Sequence, residues 1–225
     1  MACIFRWAHF SDIHFQINNA GFNTVELRNA LPAFLKGIKD TFDTLILTGD
    51  FRYAPSQESN PQKVVDYIFE LANSLNIDKS QIVSVPGNHD LNRNRARKYF
   101  IEGLNRDYKP DIGTVDNEVM DKLISDFSYY FEMHNLLEDK TVWEKDNPHC
   151  IVEFEKCNLL LLNTALTAGN SNPDRDLLIG SSYIQAVLSK VNKFKPIIAV
   201  GHHSFDYLRN DECKYRCGGA ACPEL

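Results

Sequence analysis

Several things are scarce in this 225-residue chain, and each scarcity excludes a class of protein. No apolar run approaches the ~20 residues that cross a bilayer; the run Leu159 to Leu162, with apolar neighbours beyond Asn163 and Thr164, is far too short, so no membrane partner is expected. Six cysteines are few for this length, and Cys213, Cys217 and Cys222 crowd into the last thirteen residues, which argues against a disulfide framework. Basic residues are outnumbered, 24 Lys and Arg against 30 Asp and Glu, and the formal charge of −6 gives phosphate backbones and anionic lipid no net attraction. The first residues, Met1 to His9, lack a basic start followed by an apolar core and a cleavage site, so the expected location is the cytoplasm. Only 11 Gly and 9 Pro accompany 44% apolar residues, which excludes disorder and collagen-like structure. Neither an internal repeat nor a low-complexity linker interrupts the chain.

What is present is an alternation of short apolar runs with stretches of helical period, the pattern of a sheet built through crossover helices. Strands are expected at residues 4–9, 44–48, 82–86, 150–154, 158–163 and 196–201. The last pair before the loop, separated by Glu155-Lys156-Cys157, reads as a hairpin and so predicts a mixed or second sheet. Helices are expected over 25–39, despite Pro32, and from the Asn60-Pro61 start through Leu75. Others follow over 116–137, and over 181–191 with Ser181 or Ser182 as cap. Residues 167–176 read as an exposed loop.

Four of the strands run straight into clusters of metal-ligand residue types: Ser11-Asp12-Ile13-His14, Thr48-Gly49-Asp50, Gly87-Asn88-His89-Asp90 and Gly201-His202-His203. Ligands of open α/β sheets bind beyond the carboxyl ends of the strands, where loops converge, so these clusters should meet. Oxygen donors mixed with imidazole nitrogens favour hard or borderline divalent ions, Mn, Fe, Zn or Mg.

In order and spacing these elements resemble the calcineurin-like metallophosphoesterases, from about residue 4 to residue 205. Asp12-Ile13-His14 matches the family's Asp-x-His, Gly49-Asp50 its Gly-Asp, and Gly87-Asn88-His89-Asp90 its Gly-Asn-His-Asp/Glu. His202 matches the first His of a His-His stretch after a late strand. The resemblance implies an α/β fold, a mixed-sheet sandwich in four layers α/β/β/α, and two divalent metal ions bridged by Asp50. Asp12 and His14 would complete one metal's ligands, Asn88 and His202 the other's. It further implies hydrolysis of phosphomono- or phosphodiesters by a bridging hydroxide, with His89 at the leaving oxygen and Asp90 orienting its ring.

The family's closing Gly-His-x-His has no match among the seven histidines, leaving five protein ligands where the family uses seven. The expectation is therefore an incomplete or divergent domain over residues 1–212, completed by a C-terminal partner or missing segment, with a Cys- and Gly-rich tail over 213–225. Two alternatives follow: a nuclease of the same superfamily, using Arg93, Arg95, Arg97 and Lys98 against a nucleic-acid backbone although a solvated helix face is the first reading of that stretch, or a metal-binding regulatory module without turnover. Arg52 and, less directly, His203 are candidates for contacting the phosphate-ester substrate; His9 is expected to be packed or partly buried on its strand, and His134 and His149 to lie on the surface.

Overall fold

The computed structural model describes residues 5–15, 22–53, 60–107, 115–144, 146–169, 175–191 and 194–209. The Cys-rich tail expected over 213–225 lies outside the described residues. Two three-stranded sheets form the centre. In the first, β1 (Trp7–Phe10), β2 (Thr44–Thr48) and β3 (Ile82–Val85) run parallel, with β2 in the middle. In the second, β4 (His149–Glu153) and β5 (Asn158–Leu162) form the expected antiparallel hairpin, and β6 (Ile197–Gly201) joins β5 in parallel. The α/β class with two sheets between helices is as the sequence predicts.

Alternation along the strands explains the layers. Leu45 and Leu47 on one face of β2 pack into a core shared with Val64, Ile68 and Leu71 of α2 (Pro61–Ser74), while Ile46 on the other face meets Val83, Val85, Leu159, Leu161 and Val200 between the sheets. Each such side chain contributes roughly 1.5–3 kcal/mol on burial. Helix α2 starts as its sequence dictates, Asn60 Oδ1 accepting the Gln62 N–H at 2.9 Å with Pro61 in the first turn. Helix α1 (Phe22–Leu35) runs through Pro32.

Four local expectations are corrected. The helix predicted over 116–137 is two helices, α4 (Asn117–Ser125) and α5 (Ser128–Leu137). The break falls where Asp126 is drawn to Arg97, Oδ2 to Nη1 at 2.7 Å, while its carbonyl accepts the Asn92 N–H at 2.7 Å. Arg97 itself, in α3 (Arg95–Asp107), is fully buried and also donates to the carbonyls of Leu166 and Ala168, so it is no part of a solvated basic face. Helix α6 (Ser181–Ser189) has Gly180, at φ 75°, in the N-cap position rather than a serine. The segment read as an exposed loop from Thr167 begins buried, with Thr167 Oγ1 accepting the Leu178 N–H at 2.8 Å.

Candidate metal centre

The four motifs leave the carboxyl ends of β1, β2, β3 and β6, and the structure brings them together across both sheets. Two close approaches make this geometry. Gly49, at φ 78°, lies so near the next loop that a Cβ there would sit 2.2 Å from the Gly87 nitrogen; a Cβ on Gly87 would sit 2.2 Å from Asp50 Oδ1. No side chain fits at either position. Asp12, His14 and Asp50 all hold positive φ, 55°, 45° and 56°, a left-handed backbone that costs about 1–2 kcal/mol at an L-residue. The chain through Asp12 and His14 is thus sharply turned and not extended. It is held by the Asp12, His14 and Phe15 N–H groups donating to the carbonyls of Gly49, Asp50 and Phe51.

Asp50, 3% exposed, is the centre of the cluster. His202 Nε2 lies 3.5 Å from its Oδ1, and His14 Nε2 and His89 Nε2 lie 3.8 and 3.9 Å from its Oδ2. All three imidazoles are turned the same way: Nδ1 of His202 donates to the Thr48 carbonyl at 2.6 Å, Nδ1 of His14 to the Arg52 carbonyl at 3.4 Å, and Nδ1 of His89 to the Tyr53 carbonyl. With the proton fixed on Nδ1, each Nε2 presents its lone pair to the Asp50 carboxylate. Asn88 Oδ1, 3.1 Å from His202 Nε2, adds another acceptor. Acceptors facing acceptors are reconciled by a cation between them, a metal ion or the second proton of an imidazolium, and a ring N–H held by a carbonyl is the usual support of a metal-binding histidine.

Among the described residues, two groups of side chains could hold a metal ion, His14 with Asp50 and His89, and Asp12 with Asp50 and His202, and Asp50 belongs to both. The residues fit a divalent ion by donor type and by orientation. The grouping differs from the expected one: Asp12 falls with His202, and His89 stands among the donors on the His14 side. Asp12 and His14 remain in contact, Oδ1 to Nε2 at 3.4 Å. The His14 ring first, then the Ser11 hydroxyl, hold the Asp12 carboxyl well below the usual carboxylate range against its partial burial, and Asp12 in turn raises the His14 pKa.

Three assignments change. Asp90 does not orient the His89 ring: its wholly buried carboxylate accepts the N–H groups of Asp50 (2.8 Å), Phe51 (2.8 Å), Arg52 (3.4 Å) and Gly87 (2.9 Å). Burial first, then the Asp50 charge, push its pKa up to about 7, opposed by those N–H donors. Arg52 does not reach for substrate: it is 5% exposed, donating to the carbonyls of His89, Asp90 and Leu91 and to Asn92 Oδ1, with its guanidinium over the Tyr129 ring. His149 is buried, its Nε2 donating to the Ile179 carbonyl and its Nδ1 accepting the Asn163 N–H, and His134 stacks on Tyr130 beside Asp139. Neither is a surface residue.

His203 sits beside the cluster, between the rings of His202 and Tyr207, its N–H donating to Thr164 Oγ1 at 2.9 Å. Burial, then the neighbouring His202, push its pKa down to about 4, so it is neutral at physiological pH. His9 is exposed on edge strand β1 rather than packed, and its Nε2 pairs with Thr48 Oγ1 at 2.7 Å. Sequence reasoning gave Thr48 and Tyr53 no role of their own and missed Thr164; all three act through backbone groups or hydroxyls.

Sheets flanked by helices, with carboxylates and imidazoles gathered at the strand ends around one shared Asp, are the architecture of a metal-dependent phosphoesterase. The chain belongs to the calcineurin-like phosphoesterase family, whose model matches residues 5–224. It is similar to a protein of Bacillus subtilis (strain 168) described as "Uncharacterized metallophosphoesterase-like protein YydB", 27% identical over 216 residues, covering 92% of this chain and 44% of that one. The chain therefore spans less than half the length of this curated relative. Among the described residues, no helix is long and apolar enough to cross a membrane.

Proposed function

We propose that the chain hydrolyses a phosphomono- or phosphodiester with two divalent ions sharing Asp50. The observation that carries this reading is the common orientation of His14, His89 and His202, each with Nδ1 on a backbone carbonyl and Nε2 turned to Asp50. When bound, such ions polarise the phosphoryl oxygens and make a water acidic enough to attack phosphorus. Asp12, His14, Asp50, Asn88 and His202 hold them. His89, whose side chain at a third exposed is the most open of the three imidazoles turned to Asp50, is the group to meet a leaving oxygen, and its Nε2, once protonated, gives its proton there. Asp90 and Arg52 are positioning residues that fix the two loops from which Asp50 and Asn88 project.

The test is metal stoichiometry by calorimetry with Mn and Zn, joined to turnover of bis(p-nitrophenyl) phosphate and p-nitrophenyl phosphate beside an Asp50→Asn variant. Two ions per chain and turnover abolished in the variant support the reading. A folded chain that binds an ion and turns over neither ester under any divalent metal is instead the regulatory module.

A further inference from the structure

We propose that Thr164 is a positioning residue for His202, and so for the metal ion that Asp12, Asp50 and His202 could hold, an assignment that rests on the metal-dependent reading above. Asp12, His14, Asp50, Asn88 and His89 follow strands of the first sheet, whereas His202 comes from the second, at the end of β6. The braces formed by Arg52 and Asp90 join the loops after β2 and β3, so His202 needs a support of its own. Its Nδ1 bond to the Thr48 carbonyl, 2.6 Å long, fixes the tilt of the ring but not the backbone that carries it.

That backbone is gripped by one side chain from the neighbouring strand. Leu162, the last residue of β5, pairs with Gly201, the last of β6. Just beyond, the Thr164 N–H donates to the Leu162 carbonyl at 3.0 Å, closing a three-residue turn that brings Thr164 back onto Gly201. Its two branches then take the two residues that flank His202. The methyl group lies against Gly201, so near that a Cβ there would stand 2.7 Å from Thr164 Cγ2. The hydroxyl oxygen accepts the His203 N–H at 2.9 Å. The His203 ring is served by the same residue in either tautomer, its Nδ1 lying 3.4 Å from Thr164 Oγ1, a donor, and 3.3 Å from the Thr164 carbonyl, an acceptor. Thr164 is 2% exposed and, being β-branched, stiff at χ1, so both branches are fixed at once. A shift of this turn would carry His202 Nε2 away from Asp50 Oδ1, which it faces at 3.5 Å.

Thr164→Val keeps the shape and removes the acceptor. Calorimetry with Mn on the full chain should show one ion bound about tenfold more weakly, the scale of loss when a metal ligand loses its support. The ion at His14, Asp50 and His89 should be unchanged. Thr164→Ser keeps the acceptor and should bind Mn as the parent does. Thr164→Ala, which only removes atoms, serves in place of valine if circular dichroism shows the valine variant unfolded. Val187→Ala, a truncation on the buried face of α6, should lower the unfolding temperature without moving either ion. A folded Thr164→Val that matches a Mn-binding parent overturns the assignment and leaves the metal centre standing. An equal loss of affinity in Thr164→Ser or in Val187→Ala overturns it as well, the first by showing that the hydroxyl is not the support, the second by making Thr164 structural only. A parent chain that binds no Mn overturns the metal centre itself.

Discussion

Arg52 and Asp90 brace the same two loops in opposite senses. The Asp90 carboxylate gathers the backbone N–H groups of residues 50–52, and the Arg52 guanidinium gathers the carbonyls of residues 89–91. Each loop thereby carries the charge that satisfies the other, and Asp50 and Asn88 stand at fixed positions between them. A buried charge with all its hydrogen bonds made is tolerable, and the same charge with one partner removed is costly.

Replacing Arg52 with Met should accordingly cost stability before it costs substrate affinity. Loss of about 3 kcal/mol or more is expected in urea unfolding, since the carbonyls of His89, Asp90 and Leu91 and the Asn92 amide oxygen lose their donor together. A variant that unfolds like the parent but shows a raised KM would restore Arg52 to the substrate.

Asp90→Asn replaces two acceptor oxygens with one and turns an amino group toward backbone N–H donors. The expected outcome is about 3 kcal/mol of destabilisation and weaker metal binding, with the pH profile of any residual turnover keeping its shape. If Asp90 instead oriented the His89 ring, the profile itself would shift.

His202→Ala should lower metal affinity by at least about tenfold, because losing even a supporting partner of a ligand costs that much. Calorimetry with Mn reads it directly. Unchanged stoichiometry and affinity would remove His202 from the ligand set.

The Asp12–His14 pair sets a pH dependence in the metal-free protein. Asp12 has a lowered pKa, so its contribution is present above the ordinary carboxylate value near 3.8 and fades as pH falls through the lowered one. His14 has a raised pKa, so its contribution is complete below about 6.5 and disappears as pH rises through the raised value. His14→Ala should therefore destabilise the chelated protein more at pH 6 than at pH 9, measured by thermal unfolding in chelator. An equal loss at both pH values would show that the pair is not charged.

A methyl group at Gly87 should be tolerated nowhere in this site. Gly87→Ala places Cβ against Asp50 Oδ1 and the Asp50 nitrogen, so it should displace the loop and abolish metal binding even where the fold survives. Circular dichroism beside calorimetry separates the two effects.

Most of the centre was legible because it is written locally. A short apolar strand announces itself by composition, and a Gly-Asp or Gly-Asn-His cluster placed after it stands where strand ends converge. That is why Asp12, His14, Asp50, Asn88, His89 and His202 could be named from their neighbours in sequence, and the structure gathers them around Asp50, Asn88 through its contact with His202. The break at Asp126 was not legible, since residues 116–137 keep a helical period and the cause is Arg97, on another helix.

The sequence by itself determined the strands, the α/β class and the residue types of the centre, because these follow from local periodicity and the donor chemistry of single side chains. The tertiary structure alone decided which charges are tools and which are struts. Arg52, Asp90 and Arg97 read in sequence as candidates for substrate, catalysis and a surface, and burial makes all three internal braces. It also decided the tautomers of His14, His89 and His202 through carbonyls of Arg52, Tyr53 and Thr48, groups that every residue possesses and no motif can mark.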